Sequence, residues 1–274
     1  MQSATSRESY AAVTERLVGY VAGATPTAVA TTADEILSVA DLLRRQPRLR
    51  RALADPARPA DDRTGLLRGL FAGKVGADSL DLLGAVVAAR WSAPSELLDA
   101  IERLGVDAAL AGAESAGELA EVEDELFRFG KIIDGDPQLG AVVGDVTVPA
   151  DRRVELVRTL LTGKALPATV RLAEQAVRGF GGRSIGAGLG RLVEMAAARR
   201  DRQVAHVTVA APLTQTEEQR LGATLAGMYG REVSVKLTVD PAVLGGMSVR
   251  IGSDLYDGTV RRRLIDTRKA LAGR

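Results

Sequence analysis

The 274-residue chain contains no cysteine, a single histidine and few aromatic residues, which make up 3% of the sequence. Without cysteine it can form no disulfide, zinc finger or iron–sulfur cluster, and His206 alone leaves few ways to build a transition-metal site. Nucleophilic catalysis of the triad type needs a base beside the nucleophile, so the same scarcity limits the catalytic options. The composition predicts no metal, no cofactor and no catalytic residue, and it favours a cytoplasmic protein.

The sequence also lacks a long apolar run and an excess of charge of one sign. Its longest uncharged run, Leu17–Ala33, is interrupted by glycine and proline and falls short of the roughly 18 to 20 residues of a membrane helix. The first ten residues, MQSATSRESY, lack the basic start and apolar stretch of a secretory signal. Lys and Arg number 36 against 35 Asp and Glu, and 46% of the residues are apolar. We therefore expect a globular protein of about two domains, without a membrane span or export signal.

An internal repeat with an offset of 90 residues organises the helical part of the chain. Residues 35–74 align with residues 125–164 without a gap, and 13 of the 40 pairs are identical. The identities run from Glu35/Glu125 to Lys74/Lys164. Two equivalent modules are the simplest account of this similarity.

Both copies show the apolar spacing of amphipathic helices. The stripe falls at i, i+3, i+6 and i+7 in each copy, with Ile36, Val39, Leu42 and Leu43 in the first and Leu126, Phe129, Ile132 and Ile133 in the second. Pro47 and Pro137 end a helix, and two Pro-Ala-Asp segments, 59–61 and 149–151, place favourable residues at the start of the next one. We predict two tandem bundles of antiparallel helices, covering residues 1–93 and 94–203.

From Val204 onward the apolar period changes from helical to two, which is typical of half-buried strands. The alternation predicts strands at 204–211, 233–239 and 247–251, with Gly245-Gly246 as the turn before the last one. The segment 204–274 is therefore predicted to be a β-α-β-β-α module of the α+β class, attached to a mainly α protein. A module this small buries only about 60% of its unfolded surface, so we expect it to dock onto a partner or onto the helical units.

Two helices belong to this module. Thr214 and Glu217 form a capping box that begins the first of them. The apolar residues expected to face inward are Leu221, Leu225 and Met228 in the first helix and Val260, Leu264 and Leu271 in the last.

Several motifs resemble binding sites but lack the surrounding pattern that such sites need. The glycine-rich run 179–190 follows a helical pattern rather than a strand, so it predicts a turn between helices and no dinucleotide site. Thr162-Gly163-Lys164 resembles the end of a P-loop, but Ala165 replaces the Ser or Thr that holds magnesium. His206 lies on a predicted strand, which favours a structural or surface role. The balanced charge and scattered aromatics favour solvated faces over nucleic-acid binding for three basic clusters, at 44–51, 199–202 and 261–269.

The segment 239–271 combines an Asp-Pro pair, a Gly-Gly pair, an alternating strand that ends in Ile-Gly, and an Asp-Gly pair before a helix. The residues concerned are Asp240, Pro241, Gly245, Gly246, Ile251, Gly252, Asp257 and Gly258. This segment closely resembles the C-terminal signature of the F-type ATP synthase delta subunit family, which includes the oligomycin-sensitivity-conferring protein. Residues 204–213 resemble a strand of the family, and Arg7–Leu17 resembles its opening helix. A single helical domain is usual in the family, so the second 90-residue unit resembles a duplicated bundle.

The resemblance implies a non-catalytic connector, a stator that resists torque between the catalytic head and the membrane sector. It implies a helical domain against the N-terminal segments of alpha subunits and a C-terminal domain on the peripheral stalk b subunits. It further implies a peripheral location at the cytoplasmic face of the cell membrane, with membrane contact only through the complex and no nucleic-acid partner.

We expect an alpha-subunit helix to dock in apolar grooves of the first unit near Tyr10, Val13 and Leu17. For each of these three residues, the alternative is that it only fills the bundle core. Two other functional classes remain open from the residues alone. One is a helical-repeat scaffold or nucleic-acid-binding protein with a delta-like module, and the other is an enzyme with a delta-like tail.

Overall fold

The computed structural model of this chain describes residues 4–201, 204–230, 233–240, 243–251 and 254–262. The chain divides into two compact units, Met1–Ala196 and Ala197–Arg274. The first unit is helical and the second contains a small sheet, and buried apolar side chains form a separate core in each. The predicted class, mainly α with a small α+β module at the C-terminal end, is confirmed.

Residues 4–201 form a succession of α-helices joined by short connections. They are α1 (Ala4–Gly23), α2 (Pro26–Arg45), α3 (Pro47–Ala54), α4 (Ala60–Phe71), α5 (Ala77–Ala88), α6 (Pro94–Ser115), α7 (Leu119–Gly135), α8 (Pro137–Gly144), α9 (Ala150–Leu161), α10 (Pro167–Val177) and α11 (Ile185–Asp201), with a short 3-10 helix at Phe180–Gly182. Helices α2, α3, α6, α8 and α10 each begin with proline, whose missing N–H has no partner to lose in the first turn.

The repeat offset of the sequence is also the spacing of the helix starts. Helices α3, α4 and α5 begin at residues 47, 60 and 77, and α8, α9 and α10 begin 90 residues later in each case. Helix α6 begins at residue 94 and α11 at residue 185, so these two are the sixth helices of the two copies, and α6 also stands in the place of a first helix for the second copy. Helix α6 packs along α2, where a Cβ on Gly105 would clash with Leu37. One hydrophobic core therefore runs through both copies, and the division into segments 1–93, 94–203 and 204–274 stays a prediction.

The two copies repeat a carboxylate that receives the start of a helix. Glu35 accepts hydrogen bonds from the Gly76 N–H at 2.8 Å and the Ser79 hydroxyl at 2.5 Å, at the N-terminus of α5. Glu125 accepts one from the Thr169 hydroxyl at 2.5 Å and one from the backbone N–H three residues earlier at 3.0 Å, at the N-terminus of α10. Both carboxylates satisfy N–H groups that the helix itself leaves unpaired, next to the positive end of its dipole.

An arginine holds the opposite end of the same two helices. Arg63 donates to the carbonyl oxygens of Ala88 and Ala89 at 3.2 and 3.1 Å, where α5 ends. Arg153 donates to the Val177 carbonyl at 3.2 Å, where α10 ends. These bonds satisfy terminal carbonyl groups and place a cation at the negative end of the dipole. The glutamate and the arginine that hold the two ends of α5 and α10 are therefore identical in the two copies.

The second unit is a four-stranded sheet with one helix described in full, α12 (Gln215–Tyr229). Its strands are β1 (Val204–Val209), β2 (Ser234–Val239), β3 (Met247–Ile251) and β4 (Asp254–Asp257), in the spatial order β2-β1-β3-β4. Strands β1 and β2 are parallel and flank α12 in the chain, whereas β3 pairs antiparallel with β1 and β4 pairs antiparallel with β3. Val207 lies opposite Leu237 and Val249, and it packs with Leu225 of α12 in the core. The predicted capping box at Thr214 is present.

Three details of this module differ from the prediction. Strand β4 was not predicted, because its four residues include two aspartates and aspartate is depleted in strands. Met228 is 58% exposed, since the sheet covers the face of α12 centred on Leu225, and Met228 lies on its flank. Val260 is 38% exposed rather than inward-facing, and Leu264 and Leu271 lie outside the described residues.

Two details of the helical unit also differ. Ile132, predicted to face inward, is 56% exposed, because Phe129 and Ile133 occupy the inward face of α7. The glycine-rich run is a turn only in its first part, since α11 begins at Ile185 and includes the later glycines.

Candidate interaction surfaces

The predicted partner-binding residues of α1 lie on its inward face. Tyr10, Val13 and Leu17 are 6%, 2% and 2% exposed and belong to the core that α1 forms with α5 and α6. Direct contact with a partner would have to use the outer face of the helix, where Val18 is 58% exposed. The role of these residues in partner binding stays a prediction, and their packing role is visible.

Tyr10 also ties α1 to α6 through a polar contact. Its hydroxyl donates to Asp107 Oδ2 at 2.6 Å, and the Arg103 guanidinium lies 4.8 Å from the centre of its ring. Burial, and then the neighbouring Asp107 charge, raise the pKa of Tyr10 well above its ordinary value. The raised pKa is consistent with the role of the hydroxyl as the donor in its contact with Asp107.

A ring of four charged side chains connects α2 of the first copy with α9 and the end of α10 in the second. Arg178 Nη1 lies 3.2 Å from Asp41 and 2.9 Å from Asp151. Arg45 lies 2.9 Å from Asp41 and 3.3 Å from Asp151, so each carboxylate contacts both cations. The hydrogen bond from Arg178 lowers the pKa of Asp151. Because positive and negative charges alternate around the ring, its ion pairs hold the two copies together at this point.

Two further contacts extend this connection along α2. Arg171 of α10 lies 2.6 Å from Asp34, and Arg44 lies 2.8 Å from Glu102 of α6. Glu102 also accepts a hydrogen bond from the Gly181 N–H at 3.1 Å. Burial raises the pKa of Glu102 in spite of these partners. The contact surface between the copies is therefore polar at its edge and apolar in the shared core.

A polar cleft of about 700 Å³ lies between the start of α6, the 3-10 helix and α11. Its charged lining residues are Glu96, Asp99, Arg103, Arg183 and Arg191. Burial is the main cause of a raised pKa at Asp99. Because both signs of charge line the cleft, it does not select a ligand by charge.

An apolar groove of about 350 Å³ lies on α7, α8 and α9 of the second copy. Its apolar lining residues are Phe129, Ile132, Leu139, Leu160, Leu161 and Ala165, and its charged ones are Glu125, Arg128 and Lys164. The sequence contained one signal for it, the pair Ile132-Ile133: adjacent residues on a helix lie about 100° apart and do not both face the core. This surface was not among the predicted sites.

Among the signature residues, Asp257 holds Thr259, which is the N-cap of the helical residues that begin at Val260. Its Oδ1 accepts hydrogen bonds from the Thr259 N–H at 3.1 Å and the Thr259 hydroxyl at 2.7 Å. Thr259 Oγ1 in turn accepts a hydrogen bond from the Arg262 N–H at 3.3 Å. The bonds to Thr259 lower the pKa of Asp257. This pattern is that of an N-cap, in which side-chain oxygens satisfy free N–H groups.

The signature glycines bring two loops together at close range. Gly246 has a φ of +80°, and a Cβ there would overlap the carbonyl oxygen of Gly258. The Gly258 N–H donates to the Met247 carbonyl at 2.9 Å, and the Val260 N–H donates to the Gly245 carbonyl at 3.0 Å. Only a residue without a side chain fits at Gly246.

The remaining signature residues support the sheet or lie outside the described ranges. Ile251 is 4% exposed in β3, and the Asp240 N–H donates to the Val209 carbonyl at 2.9 Å. Pro241 and Gly252 lie outside the described residues. His206 is on the central strand β1, opposite Lys236 and Arg250 in register.

Within the described ranges, no helix has the length and apolar character needed to cross a membrane. The same residues hold no group of three or more His, Asp or Glu side chains that could bind a metal ion.

Comparison with known proteins gives matches that extend over the whole chain. A family model described as "ATP synthase delta (OSCP) subunit" matches residues 106–271. The ATP synthase subunit delta of Salinispora arenicola (strain CNS-205) is 66% identical over 274 residues, which cover 100% of both chains. The corresponding protein of Salinispora tropica is 63% identical over the same full length, and that of Streptomyces griseus is 45% identical over 271 residues, 99% of this chain and 100% of the relative. The family model begins inside α6, so it covers most of the second copy and the sheet module, whereas these relatives match the first copy as well.

Proposed function

This chain belongs to the ATP synthase delta (OSCP) subunit family, and we propose that it is a non-catalytic connector within an F-type ATP synthase. In this role it links the catalytic head to the peripheral stalk and resists the torque that rotation applies between them. The observation that supports the proposal most strongly is the 66% identity to a subunit delta over the full length of both chains.

We assign the two compact units to the two ends of the connection. The helical unit binds N-terminal segments of alpha subunits, including at the surface near Tyr10, Val13 and Leu17, and the sheet module binds the b subunits. The separate hydrophobic cores of the two units support this division, because each unit has a packed core of its own that can present a different partner surface. The shared helix α6 and the charged ring at Asp41 and Arg178 support a load-bearing role for the helical unit, since both oppose movement between its copies.

Family membership also supports a location at the cytoplasmic face of the cell membrane, as a peripheral component of the complex. In this arrangement the chain contacts the membrane only through its partner subunits. It needs no cofactor of its own, because the chemistry of ATP synthesis takes place in the catalytic head.

Reconstitution tests the proposal. Membranes depleted of subunit delta should regain coupled ATP synthesis when the purified chain is added, and alpha, beta and b subunits should co-purify with a tagged copy. A chain that ends at residue 203 should still bring down alpha and beta but lose b. The connector role would be wrong if the full chain restored no coupling, and the assignment of the two ends would be wrong if the shortened chain retained b.

A further inference from the structure

The apolar groove of the second copy has a feature that a closed bundle does not need. Ile132 on its wall is 56% exposed, whereas its neighbours Phe129 and Ile133 are 3% and 6% exposed. We propose that this groove, formed by α7, α8 and α9, is a docking site for an acidic amphipathic helix of the catalytic head. The proposal rests on the proposed function and adds to it a specific surface in the second copy and a specific chemistry for the occupant.

The floor of the groove is apolar and fits side chains from one stripe of a helix. Leu139, Leu160 and Leu161 are each half-buried, so their exposed parts form a continuous surface with Ile132. The carboxylate of Glu125 does not offer an acceptor to a ligand, because it already receives hydrogen bonds from α10. A small-molecule site usually has several convergent polar groups, and this floor has none. Apolar residues at i, i+3 and i+4 of a partner helix satisfy it better.

Two of the three charged residues that line the groove, Arg128 and Lys164, are cations, and the third, Glu125, is engaged by the start of α10. Lys164 follows α9, and Arg128 lies on α7, so cations stand on two sides of the apolar floor. Within the described part of the chain, Lys164 forms no ion pair, and Arg128 forms one with Asp124, whose side chain is also exposed. Acidic residues that flank the apolar stripe of a helix would complement both cations. Such complementarity orients the partner and speeds its association.

The first copy contains the equivalent surface and so provides an internal control, although five of the nine lining positions carry a different residue. Three of these are apolar exchanges, in which Val39, Phe71 and Val75 correspond to Phe129, Leu161 and Ala165. Leu42 occupies the position of Ile132 but is half-buried and packs against the core. Ser38 replaces Arg128, whereas Lys74 corresponds to Lys164. The first copy therefore offers less apolar surface and one cation fewer. We expect the acidic helix to select the second copy.

A cysteine-scanning experiment tests this site, because the chain has no cysteine of its own. The variants Ile132→Cys and Leu42→Cys are each labelled with a polarity-sensitive thiol dye. The probe is the purified catalytic head complex, free of subunit delta, added to the full-length protein. We expect a saturable blue shift of the dye at position 132 and a much smaller one at position 42. A thiol-directed photo-crosslinker at position 132 should then join the chain to an acidic amphipathic segment of a head subunit.

Charge reversal gives a second measurement that does not alter the apolar floor. Lys164→Glu should weaken head binding about three- to tenfold at low salt, and Lys74→Glu should leave it within about twofold. If the head binds but neither position 132 nor Lys164→Glu responds, the groove is not the docking site, and the connector function is unaffected. A blue shift caused by purified b subunits instead of the head would also overturn the proposal. If the head binds neither the unmodified chain nor any of its variants, the proposed function itself fails.

Discussion

Arg178 offers a quantitative test of how the two helical copies are joined. Its side chain is 14% exposed and contacts Asp41, which is 12% exposed, at 3.2 Å. The change Arg178→Met keeps most of the apolar stem and removes the charge. Asp41 would then keep Arg45 at 2.9 Å and Arg44 at 3.6 Å, while Asp151 would keep Arg45 at 3.3 Å. The ring would lose one of its two bridging cations without leaving a carboxylate unpaired.

The expected decrease in the free energy of unfolding lies between the values known for buried and for exposed ion pairs. Removing one partner of a buried pair costs about 3–5 kcal/mol, and an exposed pair contributes about 0.2–1 kcal/mol. Because Asp41 retains other cations, we expect Arg178→Met to lower the free energy of unfolding by about 2 kcal/mol. For a unit of this size, that corresponds to a decrease of roughly 4–8 °C in Tm. Arg16, which pairs with Asp81 at 3.5 Å and is 60% exposed, is a matched control, and Arg16→Met should cost less than about 0.5 kcal/mol.

The tryptophan signal makes the assay specific for the helical unit. Trp91 is the single tryptophan of the chain, and it is 7% exposed, with its indole N–H donating to the Val86 carbonyl at 2.8 Å. Urea unfolding followed by selectively excited tryptophan fluorescence therefore reports on this unit without interference from the sheet module. A double-mutant cycle with Asp41→Asn should give a coupling energy of about 1 kcal/mol or more.

The reasoning would be refuted if Arg178→Met and Arg16→Met lowered stability equally. It would also be refuted if the cycle gave a coupling energy near zero. Either result would mean that the shared apolar core joins the copies without help from the charged ring.

Three further perturbations follow from other contacts in the structure. Asp151 has a lowered pKa, so its contribution is present above the ordinary value near 3.9 and is lost as pH falls through the folded pKa. The difference in urea midpoint between the wild type and Asp151→Asn should therefore be constant above about pH 5 and shrink at lower pH, and a difference that grows towards acid would contradict this sign. Gly246→Ala should destabilise the sheet module by about 2 kcal/mol or more, whereas Gly227→Ala, with open space around it in α12, should be neutral or stabilising by up to about 1 kcal/mol. Hydrogen exchange of the β1 and β3 amides measures both effects, and equal exchange in the two variants would argue against the close loop contact. Glu35→Ala and Glu125→Ala should each cost about 1–2 kcal/mol in the tryptophan assay, and a cost in only one copy would show that the matched bonds are not equivalent.

Local patterns predicted the elements of this fold well because each depends on nearby residues. The 90-residue offset predicted the matching helix starts, since the prolines and the Pro-Ala-Asp segments act within one turn of the chain. The capping box at Thr214 followed in the same way from the spacing of Thr214 and Glu217. The resemblance of residues 239–271 predicted the family, which the comparisons confirmed.

The features that sequence did not predict depend on contacts between distant residues. The partners of Arg178 are 137 and 27 residues away, and no local pattern indicates such a pairing. The exposure of Ile132 depends on which of two adjacent isoleucines the core accepts, and helical periodicity allowed both. Strand β4 pairs through its backbone with β3 although its residues have weak strand preference, so its partner rather than its composition determines it.

Helix α6 has a mechanical and evolutionary consequence. At 22 residues it is about 33 Å long, and it belongs to both copies with no loop between them. The second copy adds five helices, α7 to α11, and shares α6 with the first copy. A duplication of this kind lengthens the chain without placing a flexible linker between the copies. Force applied to one copy passes to the other along a continuous helix axis, and bending the pair would require bending α6 itself. The second copy is therefore joined to the first through a shared helix and a shared core rather than through a linker.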